Sequence, residues 1–172
     1  TFNADSQLTC VNCTNATTKQ AYAYGADGNR VLVTKGTAKT HEFVGADGNQ
    51  LIELEAATNK HTDFIYLGNT RIAQKEKTGT AAAVVSYLHN DLLGSPILST
   101  NAAGAVLWKE TYQPYGAPHV KSVGKVGRQT GYVGKPYDEA TGLSYLGARY
   151  YNPVLGRFMS VDPVDLDVGN VH

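Results

Sequence analysis

The feature that most limits what this chain can fold into is a turn that comes back. Gly25-Ala26-Asp27-Gly28-Asn29-Arg30 recurs as Gly45-Ala46-Asp47-Gly48-Asn49-Gln50, an offset of 20 residues. A looser copy, Tyr66-Leu67-Gly68-Asn69-Thr70-Arg71, follows about 20 residues on, and Tyr66, Tyr87 and Trp108 are then spaced by 21. A fixed period near 20 describes one small unit, strand-turn-strand, laid beside copies of itself. Asp-Gly suits a two-residue hairpin turn, because both centre positions want φ above zero, where Asp costs little and Gly nothing. Asp27 and Asp47 therefore read as turn residues. Neither lies in the run of alternate oxygen donors that calcium needs.

The segments between the turns have the strand period. Arg30-Val31-Leu32-Val33-Thr34, Asp63-Phe64-Ile65-Tyr66-Leu67, Ala83 to His89 and Ala105 to Tyr112 are β-favouring runs that stop at Gly, Asn, Asp or Pro. Gln50 to Ala57 alternates apolar and acidic residues, which predicts a strand, with a short helix as the alternative. The expected fold is all-β, made of hairpins.

Composition excludes several functions. With 15 Lys plus Arg against 15 Asp plus Glu, the chain lacks the cationic excess a general nucleic-acid binder needs. No apolar run of about 18 residues occurs, so no helical membrane span is expected. Cys10 and Cys13 form one Cys-x-x-Cys, in a polar β-favouring context with no helix behind it. That suits a local disulfide or two free thiols better than a metal or redox centre. Asn12 and Asn15 open two glycosylation-type triplets of a kind common by chance. His41, His61, His89 and His119 fall in separate units, so neither a metal site nor a cofactor site is expected. Val120 to Lys135 carries Lys121, Lys125, Arg128 and Lys135. It reads as a solvated loop, or as a contact strip for an acidic partner or cargo.

Two longer stretches carry more information. One is Tyr87-Leu88-His89-Asn90-Asp91-Leu92-Leu93-Gly94-Ser95-Pro96, followed by Tyr112-Gln113-Pro114-Tyr115-Gly116. The other runs from Gly131-Tyr132-Val133-Gly134-Lys135-Pro136-Tyr137-Asp138 through Ala148-Arg149-Tyr150-Tyr151-Asn152-Pro153 and Gly156-Arg157-Phe158-Met159-Ser160 to Asp162-Pro163. Together they resemble the RHS repeat-associated core of YD-repeat proteins, a family of bacterial polymorphic toxins, Tc-toxin C components and teneurins. The resemblance implies part of a curled sheet or β-shell, a section of a larger barrel. Residues 1–18 are of unclear role, residues 19–86 would be YD-repeat hairpins, and residues 87–172 the core. The implied function is encapsulation of a C-terminal toxin by a secreted or cell-surface shell active in bacterial competition. Its partners would be that cargo, the rest of the shell and secretion-apparatus proteins, for example of a type VI system. A surface adhesion or carbohydrate-binding module is the alternative.

The resemblance also implies aspartic self-cleavage by two Asp-Pro motifs, since of two close carboxylates one can serve as base and the other as acid. Asp162 of Asp162-Pro163 stands in the first motif and is the candidate catalytic residue. Here Val161 precedes it where many relatives have Arg, and Val164-Asp165-Leu166 follows where many read x-Gly-Leu. The second motif would lie beyond His172. The expectation is thus a single-turnover autoprotease in a longer parent, inactive in this section alone. A turn-capping role for Asp162 before Pro163 is the structural alternative, with Asp165 and Asp167 as nearby carboxylates.

Overall fold

The computed structural model describes residues 1–121 and 129–162. Eleven strands form one antiparallel meander in chain order. They are β1 (Cys10–Val11), β2 (Gln20–Tyr24), β3 (Arg30–Lys35), β4 (Ala38–Val44), β5 (Gln50–Glu55), β6 (Lys60–Leu67), β7 (Thr70–Thr78), β8 (Val84–Asn90), β9 (Pro96–Thr100), β10 (Val106–Tyr112) and β11 (Pro118–Lys121). A second antiparallel sheet holds β12 (Gln129–Thr130), β13 (Pro136–Asp138), β14 (Leu143–Tyr145), β15 (Tyr150–Asn152) and β16 (Arg157–Phe158). The all-β expectation holds, and Gln50–Glu55 is a strand. The repeats and the first part of the core motif share one sheet. The described strands pass from the first sheet to the second between Lys121 and Gln129.

The recurring turn differs from the two-residue form expected. Gly25 N–H donates to Asn29 C=O, and Gly28 N–H donates to Gly25 C=O. The same pair of bonds closes 45–49, 91–95 and 113–117. Only the fourth residue of each, Gly28, Gly48, Gly94 and Gly116, has positive φ, between 78 and 88°. These are three-residue loops with a glycine-centred bulge, so Asp27 and Asp47 keep ordinary backbone angles. The Asp27 carboxylate instead accepts from the Asn29 N–H and Nδ2, and Asp47 does the same for Asn49. Those bonds favour the charged form and hold both carboxyls below their usual value.

A separate bulge, just inside the strand, re-aims side chains. Tyr24 pairs with Arg30 and Ala23 with Leu32, which leaves Val31 as the extra residue. The same step leaves Leu51, Ile72 and Ile97 unpaired in β5, β7 and β9. Simple alternation would put residues three apart on opposite faces. The extra residue reverses this, so that Arg30 and Val33 are both buried while Val31, Leu51, Ile72 and Ile97 are exposed. Arg30, Gln50 and Arg71, one per repeat, are turned inward by the same device.

The second sheet sits in the curl of the first. Leu8, Tyr22 and Val33 pack with Leu143, Tyr145 and Tyr150 in the main apolar cluster. At the far end of the large sheet, Tyr112 meets Tyr132 at 6.1 Å between ring centres, and Tyr151 Oη donates to Tyr115 C=O. In a flat sheet β2 and β10 would stand roughly 38 Å apart, eight spacings of about 4.8 Å. Both touch one small sheet, so the large sheet is bent around it. Among the described residues it does not close: β1 pairs with β2 and β11 with β10, and no described strand joins them.

Candidate functional site

Asp162 lies where the described chain leaves the second sheet. The β15–β16 ladder pairs Tyr151 with Phe158 and Asn152 with Arg157, and continues with Met159 N–H donating to Tyr150 C=O. Three residues on, Asp162 Oδ2 accepts from Arg149 Nη2 at 2.8 Å. The arginine lies over the Phe158 ring, with Cζ 3.7 Å from its centre. The Asp162 side chain is 53% exposed. Pro163, Asp165 and Asp167 lie outside the described residues, as do Gly124 to Arg128 of the basic stretch. The flanks of that stretch, Val120-Lys121 and Gln129-Thr130, are strand and not loop.

The residues that sequence reasoning passed over form a buried polar seam between the two sheets. Arg30 Nε and Nη2 donate to the two carboxylate oxygens of Glu42 at 2.7 and 3.1 Å. Arg30 Nη1 donates to Tyr150 Oη at 2.6 Å, and its backbone N–H donates to Tyr145 Oη at 3.0 Å. The guanidinium also lies 4.0 Å from the centre of the Tyr145 ring. Gln50 Nε2 bridges Glu42 and Glu53, at 3.0 and 2.9 Å. Arg71 Nη2 donates to Gln50 Oε1, its Nε and Nη2 donate to Tyr66 Oη, and its Nη1 donates to Thr130 Oγ1. Lys35 Nζ adds a bond to Asp138 Oδ1 at 3.0 Å. Burial pushes the Glu53 carboxyl up, against the pull of Gln50, Arg71 and Arg30. Burial likewise lowers Arg71, against Tyr66 and Glu53. The one sequence signal that could have found this seam is positional: Arg30, Gln50 and Arg71 all follow the recurring turn directly.

A cavity of about 260 Å³ opens beside the seam, lined among others by Arg30, Gln50, Arg71, Tyr145, Val133 and Lys135. A second, of about 310 Å³, lies over the inner face of β4–β7 and is lined by Lys39, Glu53, Glu55, Lys60 and Glu76. The other sequence candidates stay apart from these. Cys10 and Cys13 form a disulfide. His41 and His61 are separated by Leu54 in one cross-strand row, and His89 Nε2 hydrogen-bonds Thr100 Oγ1. Among the described residues no three His, Cys, Asp or Glu side chains gather as metal ligands, and no helix is long and apolar enough to cross a membrane.

A curled meander of bulged hairpins, lined by tyrosine and arginine and seated on a small second sheet, is the wall of a YD-repeat shell. The teneurin YD-shell family model matches residues 81–168, and the chain belongs to that family. Among relatives, the toxin subunit YenC2 of Yersinia entomophaga is 37% identical over 84% of this chain and 17% of its own length. The tRNA3(Ser)-specific nuclease WapA of Bacillus spizizenii is 30% identical over 95% of this chain and 7% of its own. The crystal structure of TcdB2-TccC3-Cdc42 superposes over 95% of this chain and 9% of the matched chain, with a TM-score of 0.74 at 22% identity. The chain thus spans less than a fifth of the length of these matches, and the RHS/YD-repeat resemblance read from the sequence is borne out.

Proposed function

We propose that this chain is a section of an RHS shell that encloses a toxin carried at the C-terminal end of the same polypeptide, and that the shell is exported with its cargo. The observation that carries the reading is the bent eleven-stranded wall, whose inner face holds the core sheet through an apolar cluster and a polar seam. A wall of strand-turn units can be extended hairpin by hairpin, and closing it over the longer parent would remove edges that otherwise aggregate. Secretion-apparatus proteins, including those of a type VI route, are the further partners on this reading.

Asp162 supplies one carboxylate of the self-cleaving pair. Its carboxylate takes a proton from water as the water oxygen attacks the scissile carbonyl. The second carboxyl, from further along the parent polypeptide, gives its proton to the carbonyl oxygen. As the tetrahedral intermediate collapses, the second carboxylate takes its proton back from the hydroxyl, C=O re-forms, the C–N bond breaks, and the amine leaves with the proton that Asp162 returns. Among the described residues Asp162 meets Arg149, which lies over Phe158. The test is the parent polypeptide with and without Asp162→Asn, followed by intact mass. The reading expects one cleavage in the parent and none in the variant, and equal processing of both removes Asp162 from the mechanism.

A further inference from the structure

Arg149 ends the turn between β14 and β15, where Leu146 N–H donates to its carbonyl at 2.9 Å. Its side chain is 22% exposed and held on two sides. One face of the guanidinium lies on Phe158, whose own ring meets Tyr151 edge-on at 5.6 Å. The edge points to Asp162 Oδ2. A planar guanidinium can stack and donate at once, which the round ammonium of lysine does less well. Asp162 itself stands three residues beyond the Met159–Tyr150 bond, where the described chain leaves the second sheet.

We propose that Arg149 is the positioning residue for Asp162: braced by Phe158, it holds the carboxylate at one place where the chain leaves the second sheet. This rests on the self-cleavage reading above. A single partly exposed ion pair adds little to stability, so losing it should leave the shell folded. A carboxylate displaced by about 1 Å from the reacting carbonyl, in contrast, can cost up to about a hundredfold in rate.

The experiment uses the parent polypeptide as wild type, Asp162→Asn, Arg149→Ala and Arg149→Lys. Cleavage is timed by intact mass, and thermal unfolding of the shell is measured on the same samples. Arg149→Ala is expected to cleave at least about tenfold more slowly, with its unfolding midpoint within about 4 °C of wild type. Added guanidinium ion should restore part of its rate, and should do nothing for Asp162→Asn. Arg149→Lys should fall between wild type and Arg149→Ala. Normal cleavage by Arg149→Ala beside a blocked Asp162→Asn overturns the positioning role and leaves the self-cleavage reading standing. Normal cleavage by Asp162→Asn overturns both. A slow Arg149→Ala that unfolds early and gains nothing from guanidinium or from lysine marks a structural residue, which also overturns the proposal.

Discussion

Glu53 shows how this fold treats a charge. It faces Glu42 across β4 and β5, and Gln50 Nε2 donates to both carboxylates. Glu42 has the bidentate partner Arg30 at 2% side-chain exposure, while burial raises Glu53 above its ordinary 4.5. The sign follows from linkage. A folded-state pKa above the unfolded one means the native state binds more protons, so the contribution of Glu53 is fully present below about pH 4.5 and is lost as pH rises through the folded value. Glu53→Gln mimics the protonated form. Urea unfolding as a function of pH should show the variant more stable than wild type at neutral pH, with the difference shrinking toward pH 4.5. Comparing the two chains cancels the other carboxylates. No local pattern marks Glu53 as unusual, because the alternation of β5 reads equally well with its acids in water.

At the scale of the hairpin, a tyrosine before the turn ties three of the strands to the start of the preceding one. Tyr24 Oη donates to Leu8 C=O, Tyr66 Oη to Gln50 C=O and Tyr112 Oη to Pro96 C=O, each 16 residues upstream. At the matching place in β8, Asn90 Nδ2 donates to Arg71 C=O. Position 44 holds Val, and there Arg30 is met from the second sheet by Tyr145, which lines the same cavity. Burial raises the hydroxyls of Tyr24 and Tyr112 far above their ordinary value, so both remain donors at any working pH. Tyr24→Phe removes one such bond and keeps the ring. It should cost about 1 kcal/mol in denaturant unfolding, with faster amide exchange confined to β1 and β2. A global loss of protection, or none, would speak against a local fastener. The tyrosines and their spacing are legible in the sequence. Their acceptors are not, because a carbonyl 16 residues away is reached only once two strands have paired and bent.

For the whole molecule, the decisive contact is the seating of the second sheet in the curl. Arg30 carries two of its polar bonds, to Tyr145 and Tyr150, and Arg71–Thr130 and Lys35–Asp138 carry others. Arg30→Ala leaves Glu42 without its bidentate partner, a loss of about 3–5 kcal/mol. The expected outcome in hydrogen exchange is loss of protection in β14 and β15 before the centre of the meander, β5 to β8. Arg30→Met with Glu42→Leu, which removes both charges at once, should recover much of the stability. Uniform loss in both sheets would mean that they fold as one unit without a weaker seam.

The sequence by itself determined the hairpin period, the glycine at each turn, the all-β class and the family. These depend on backbone angles and alternation within about 20 residues. Tertiary structure decided which polar residues are buried. Arg30 reaches partners 115 and 120 residues away, and nothing local distinguishes it from a surface arginine. It also decided the three-residue form of several turns, the bulges at Val31, Leu51 and Ile72 that bring Arg30, Gln50 and Arg71 inward, and the pairing of Asp162 with Arg149 across a hairpin. The physical reason is the same in each case. A turn is chosen by the steric limits of a few residues, whereas burying a charge is tolerable only when distant chain supplies its hydrogen bonds.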